Sequence, residues 1–152
     1  MNLYRLKKRL LSKMASLVYK TLNLKLPPIP TTSAIIMNKG RVLAIRLNER
    51  NHYALPGGVL ERGEDFEQAV RREIAEEAGL KTIKLNYLGS YAFNVDYPTI
   101  NIAYVAQAEG NPQPSVEGEP EWLEPDKVVS KLVFEDNKAA MREFLKKNYK
   151  KI

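Results

Sequence analysis

The chain has 152 residues, 44% of them hydrophobic and 28% charged, which suits one domain large enough to bury a core, with at most a short appendage. No apolar run reaches the roughly 18 residues that a membrane span requires. The absence of cysteine and the single histidine, His52, exclude disulfides, thiolate metal sites, cysteine nucleophiles and multi-histidine relays. This cysteine usage fits a reducing compartment, and a cytoplasmic location is expected.

The net charge of +6 is unevenly spread. Arg5, Lys7, Lys8, Arg9, Lys13, Lys20 and Lys25 all precede Glu49, the first acidic residue. The tail repeats the bias with Lys138, Arg142, Lys146, Lys147, Lys150 and Lys151 against Glu143, and the middle is acidic. Basic ends around an acidic centre do not describe a uniformly basic nucleic-acid binder, so no stable nucleic-acid complex is expected.

Residues 2–24 read as a basic amphipathic helix, with Leu3, Leu6, Leu10, Met14, Leu17 and Leu24 recurring at three-, four- and seven-residue spacings. Such a helix packs its leucines on the domain or on a second subunit, lies on an anionic membrane surface, or serves as a cleaved transit peptide. Packing, including a homodimer, is the leading expectation. Leu26-Pro27-Pro28-Ile29-Pro30 ends the helix as a stiff linker. Residues 1–30 are therefore expected to form an appendage and 31–152 the domain.

Ser33–Met37 and Val42–Leu47, joined at Asn38-Lys39-Gly40, predict a β-hairpin. Tyr53–Leu55 reads as a short strand ending at Pro56-Gly57-Gly58. A helix is predicted from Asp65, which has Gln68 at capping-box spacing, to a stop at Gly79. Its core stripe is Phe66, Val70, Ile74 and Ala78. Lys84–Phe93 and Thr99–Ala108 read as strands joined at Asp96-Tyr97-Pro98. A loop over Gly110–Pro120 is followed by an extended Glu121–Leu123, a helical turn at Pro125–Ser130 and a terminal helix over Asn137–Asn148. Interleaved strands and helices define an α/β (α+β) sandwich.

The chemistry concentrates between Gly58 and Leu80. On a helix, Glu73, Glu76 and Glu77 share one side at i, i+3 and i+4, rotated away from the core stripe. Three carboxylates so close repel one another unless a cation sits among them, and oxygen ligands favour Mg2+ or Mn2+ over zinc. Gly57 and Gly58 allow close backbone approach, so a main-chain carbonyl can join the ligands. Taken alone, the three glutamates also suit a solvated acidic helix face.

The whole segment resembles the Nudix box, G-x5-E-x7-R-E-U-x-E-E-x-G-U with U a bulky aliphatic residue, and every position matches. The likeness extends over residues 31–149 in element order. It implies an α/β/α sandwich around a mixed sheet. It also implies hydrolysis of a nucleoside diphosphate linked to another moiety, with Mg2+ or Mn2+ as cofactor and a nucleotide-derived small molecule as substrate. By position, the resemblance makes Glu76, Glu77 and the Gly57 carbonyl metal ligands, and Glu73 a third ligand or the general base. Arg72 would orient Glu73, and Glu64 would tie the loop to the helix or reach metal through water.

Outside the box, Glu117-Gly118-Glu119-Pro120-Glu121-Trp122 is similar to a stretch of MutT-type enzymes. It suggests Glu121 as an extra catalytic, metal-binding carboxylate, with Glu119 second; an exposed acidic loop is the plain alternative. Trp122 is read as core before substrate stack. Asn137 either reads a purine edge or caps the terminal helix. Arg46 faces phosphate or solvent at a strand end. Tyr97 lies near where diadenosine-polyphosphate hydrolases carry a tyrosine, and is first of all a turn residue. Substrates open to such a chain are damaged (d)NTPs, ADP-ribose-like molecules, dinucleoside polyphosphates and capped RNA. A non-catalytic nucleotide sensor is the rival class.

Overall fold

The computed structural model describes residues 27–47, 51–94 and 97–147, together with Leu10, Lys13, Met14, Ser16, Leu17, Val18 and Thr21. Those seven positions are helical. Leu3, Leu6, Leu24 and Leu26 of the expected appendage, and the tail from residue 148, lie outside the described residues.

The chain runs β1 (Ile29–Asn38), β2 (Arg41–Leu47), β3 (His52–Ala54), β4 (Gly57–Val59), α1 (Phe66–Ala78), β5 (Lys81–Asn94), β6 (Pro98–Glu109), β7 (Gly118–Leu123), α2 (Pro125–Lys131) and α3 (Glu135–Lys146). The seven strands form one mixed sheet whose main path is β3-β2-β1-β6-β5, with β4 paired to β1 and β7 to β2.

The expected hairpin forms only at its tip. Lys39 and Gly40 both take left-handed conformations, as a tight turn requires. The only register pairs between β1 and β2 are Met37 with Val42 and Asn38 with Arg41. Beyond them β1 leaves β2, runs parallel to β6 from Ile29 to Ile36, and takes β4 antiparallel at Thr31–Ser33. The cause is burial on both faces. Thr32 to Ile36 are consecutively buried, which places this strand at the sheet centre, where parallel pairing occurs. β2 meanwhile pairs with β7 along its length and with β3 at its far end.

The sheet carries core on both sides. Ile35, Val42, Ala44, Ala103 and Val105 pack with Val128, Ala140, Met141 and Phe144 of α2 and α3. Ala34, Ile36, Leu43, Ile45, Tyr104 and Ala106 pack with Val70, Ile74 and Ala78 of α1. Alternate residues of β1, β2 and β6 thus feed opposite faces, and the result is an α/β/α sandwich. Burying Val70 and Ile74 completely contributes about 1.5–3 kcal/mol each.

Candidate active site

α1 is fixed at both ends by its own sequence. The Asp65 carboxylate accepts from Gln68 N at 2.8 Å, Asp65 N donates to the Gln68 side chain at 2.9 Å, and Gly79 closes the helix in the left-handed region. With Ile74 and Val70 pointing into the core, Glu73 and Glu77 are turned toward β4 and are buried, while Glu76 stays exposed.

Arg72 is the hub of the cluster. Its Nε and Nη2 grip the two Glu64 oxygens at 2.7 and 2.9 Å, a bidentate fork. Nη1 reaches Glu73 at 2.9 Å and Glu76 at 3.2 Å, and Nη2 also donates to the Val59 carbonyl at 3.2 Å. One guanidinium thereby ties the loop before the helix, the helix face and β4 together. The pairing with Arg72 holds the Glu64 carboxyl down at about 2, and it raises the Arg72 guanidinium in turn. Glu64 also accepts from Glu61 N at 2.8 Å, which pins the turn between β4 and α1.

The two glycines bring backbone to this face. A Cβ on Gly57 would overlap the Thr32 carbonyl oxygen and lie 2.7 Å from Ser33 Cα. A Cβ on Gly58 would overlap the Glu73 carboxylate, 2.7 Å from its Cδ. Gly57 N donates to Glu77 Oε2 at 2.9 Å.

Glu77 also hydrogen-bonds Glu117, just before β7. Burial pushes the Glu77 carboxyl well above the usual carboxylate range, the neighbouring Glu117 and Glu73 push it further, and the Gly57 N–H opposes them. A buried cluster of acids of this kind is costly when ionised and becomes favourable around a cation.

Its donors are all oxygens, which fits Mg2+ or Mn2+. Among the described residues, no three acidic or histidine side chains yet form a closed cage. The reason is Arg72, which holds Glu73 and draws the half-exposed Glu76 carboxylate to its own side. A metal site here requires Glu76 to turn from Arg72 toward Glu73 and Glu77.

Glu117 was not among the residues singled out from sequence. Three glutamates alternate before Trp122, and the sequence pattern favours Glu121 and then Glu119. Both bind Arg46, which lies opposite Glu119 in the β2–β7 ladder. Tyr53 Oη donates to the second Glu121 oxygen at 2.8 Å, and Lys131 Nζ lies 5.0 Å over the Tyr53 ring. One signal did mark Glu117: the glycine that follows it. A Cβ on Gly118 would overlap the Arg46 carbonyl oxygen, so β7 enters the sheet at a close crossing there.

The remaining candidates are placed as follows. Asn137 is buried in the first turn of α3, and the N-cap is Phe134, so the capping alternative is corrected: the helix starts two residues earlier than its sequence suggested. The Asn137 side-chain oxygen accepts from Leu55 N at 2.9 Å and so fixes the Leu55-Pro56-Gly57-Gly58 segment. Asp136 holds Asn137 N at 2.7 Å and accepts from Asn101, itself bonded to Ser33 beneath the glycines. Tyr97 lies in the β5–β6 turn, six residues along β6 from Ala103, the partner of Ser33, a span of roughly 20 Å. Trp122 packs against the α1 side of the core.

An α/β/α sandwich with this box on its helix defines a class, and comparison with known proteins agrees. The NUDIX domain family matches residues 27–147, and the chain belongs to that family. It is a pyrophosphohydrolase of the MutT-like, nucleotide-hydrolysing type. It is 31% identical over 114 residues to the oxidized purine nucleoside triphosphate hydrolase of Danio rerio, covering 70% of this chain and 72% of that one. A MutT-like protein of Streptomyces ambofaciens is 30% identical over 111 residues, covering 70% and 71%. The solved structure of a NUDIX hydrolase from Nitrosomonas europaea matches the fold with a TM-score of 0.71 at 19% identity, over 80% of this chain and 90% of that one. No helix among the described residues is long and apolar enough to cross a membrane.

Proposed function

We propose that the protein hydrolyses the pyrophosphate linkage of a nucleoside triphosphate in a reaction that depends on Mg2+ or Mn2+, in the manner of a MutT-like sanitation enzyme. The observation that carries this reading is the convergence of buried Glu73 and Glu77 on the Gly57-Gly58 backbone, with half-buried Glu117 beside Glu77. Glu73, Glu76, Glu77 and Glu117 would hold the cation, with the Gly57 carbonyl. When bound, it supplies positive charge against the phosphate chain and makes water more acidic.

The chain's own residues do the rest. Glu73, fixed by Arg72 and pressed under Gly58, is the group we assign to accept a proton from the attacking water. Arg72 keeps that carboxylate oriented, and Glu64 keeps Arg72 in place. Asn137 acts through Leu55, fixing the loop that presents Gly57. Arg46 is committed to Glu119 and Glu121, and we assign it to holding β7 in register behind Glu117 rather than to phosphate. The triphosphate reading rests on the likeness to the zebrafish relative, whose name specifies oxidized purine nucleoside triphosphates.

The test is release of phosphate or pyrophosphate with Mg2+ from a panel of oxidised and unmodified nucleoside triphosphates, ADP-ribose and dinucleoside polyphosphates. Preference for an oxidised purine triphosphate is the expected result. Preference for ADP-ribose or a dinucleoside polyphosphate would replace the substrate while keeping the site.

A further inference from the structure

The helical positions described before the Nudix domain carry apolar side chains that face solvent. Leu10, Met14 and Leu17 are 56%, 54% and 61% exposed, so more than half of each is open, and Val18 beside them is exposed as well. Leu10, Met14, Leu17 and Thr21 fall at i, i+4, i+7 and i+11, one line along a helix. Thr21 turns its hydroxyl inward, donating to Leu17 O at 2.7 Å, which removes a polar group from that line. Packing on the domain or on a second copy is the leading expectation from sequence; the described side chains Leu10, Met14, Leu17 and Val18 are open to solvent.

We propose that this helix docks on an anionic lipid surface. The occupant is chosen by charge. Arg5, Lys7, Lys8, Arg9, Lys13, Lys20 and Lys25 belong to the segment, and no acidic residue occurs before Glu49. A second copy of the helix would cover the apolar line, but it brings the same cations against these and is repelled. A nucleic acid would neutralise the cations and leave Leu10, Met14 and Leu17 in water. The boundary of an anionic bilayer accepts both. Apolar side chains enter the acyl region, while the lysine stems lie along it with their ammonium groups among the headgroups. The helix lies N-terminal to residues 27–147, so docking leaves the catalytic domain intact.

The test is co-sedimentation of the full chain with vesicles of phosphatidylcholine alone or with about 30% phosphatidylserine, at low and high salt. Expected is about tenfold more protein on the anionic vesicles, lost at high salt. The double variant Leu10→Glu/Leu17→Glu should lose binding and keep wild-type nucleotide hydrolysis in solution. Equal binding to both vesicle types, no binding to either, or undiminished binding of the double variant would overturn the proposal. So would a wild-type dimer in light scattering that this variant converts to monomer, since a second copy would then be the occupant.

Discussion

The Glu77 carboxyl on α1 meets the Glu117 carboxyl just before β7, so two acids from elements far apart in the chain face each other. Burial, with the Glu117 and Glu73 carboxyls beside it, pushes the Glu77 carboxyl well above the usual carboxylate range. A group whose folded pKa is raised contributes stability at low pH and loses it as pH rises through the folded value. The metal-free protein should therefore lose melting temperature as pH rises through the raised Glu77 value. Mg2+ should restore it, and the restoration should grow with pH, because the ligands must be deprotonated. Thermal melts with and without Mg2+ at about pH 5.5 and 8.5 check this. A Mg2+ effect of the same size at both would count against Glu77 as a ligand.

The pairing also separates three neighbouring glutamates. Glu117→Gln keeps the size and a hydrogen bond to Glu77 but removes a charge. It should lower kcat about 10- to 100-fold and raise the Mg2+ concentration needed for half-maximal rate. Glu119→Gln acts on Arg46 alone and should change the rate by less than about threefold, in line with an exposed ion pair. A larger loss in Glu119→Gln than in Glu117→Gln would reverse the assignment.

Arg72 links Glu64, Glu73, Glu76 and Val59, so its removal strands several partners at once. Arg72→Ala should cost about 1–3 kcal/mol of stability, and more in rate than that loss explains, measured by denaturant melts alongside kcat. Glu64 supplies the pH signature. Its folded value, about 2, lies below the ordinary carboxylate, so its contribution is present above about pH 4.5 and is lost as pH falls toward 2. Acid titration of Arg72→Ala should lose the larger part of this component and keep the part due to the Glu61 N–H.

The two glycines make a graded pair. Gly57→Ala drives Cβ into the Thr32 and Ser33 backbone, which cannot swing aside, whereas Gly58→Ala meets a side chain that can. Gly57→Ala should have the lower melting temperature. Gly58→Ala should fold closer to wild type and lose activity because Glu73 is displaced. The reverse order in stability would show that the Gly57 backbone has room to relax.

Much of this was legible in the sequence because it is local. Asp65, Gln68 and Gly79 delimit α1 through contacts within a few residues, and the spacing of Arg72, Glu73, Glu76 and Glu77 places them on the helix. The departures are all long-range. Ser33–Met37 reads as half of a hairpin, but its burial on both faces is settled by β6, seventy residues further along the chain. Asn137 looks like a cap until Leu55 N is found at its oxygen, 82 residues distant. Glu117, Glu119 and Glu121 share a residue type, and apart from the glycine after Glu117 what distinguishes them is Arg46, which takes Glu119 and Glu121 across the β2–β7 ladder.

The most direct test of the site is calorimetric titration of Mn2+ into the wild-type protein and into Glu77→Gln, each first shown to be folded by circular dichroism. The wild type should bind Mn2+, and Glu77→Gln should bind about tenfold or more weakly with its hydrolysis lost. Equal affinity in the two proteins would contradict a metal site built on Glu73, Glu76, Glu77 and Glu117.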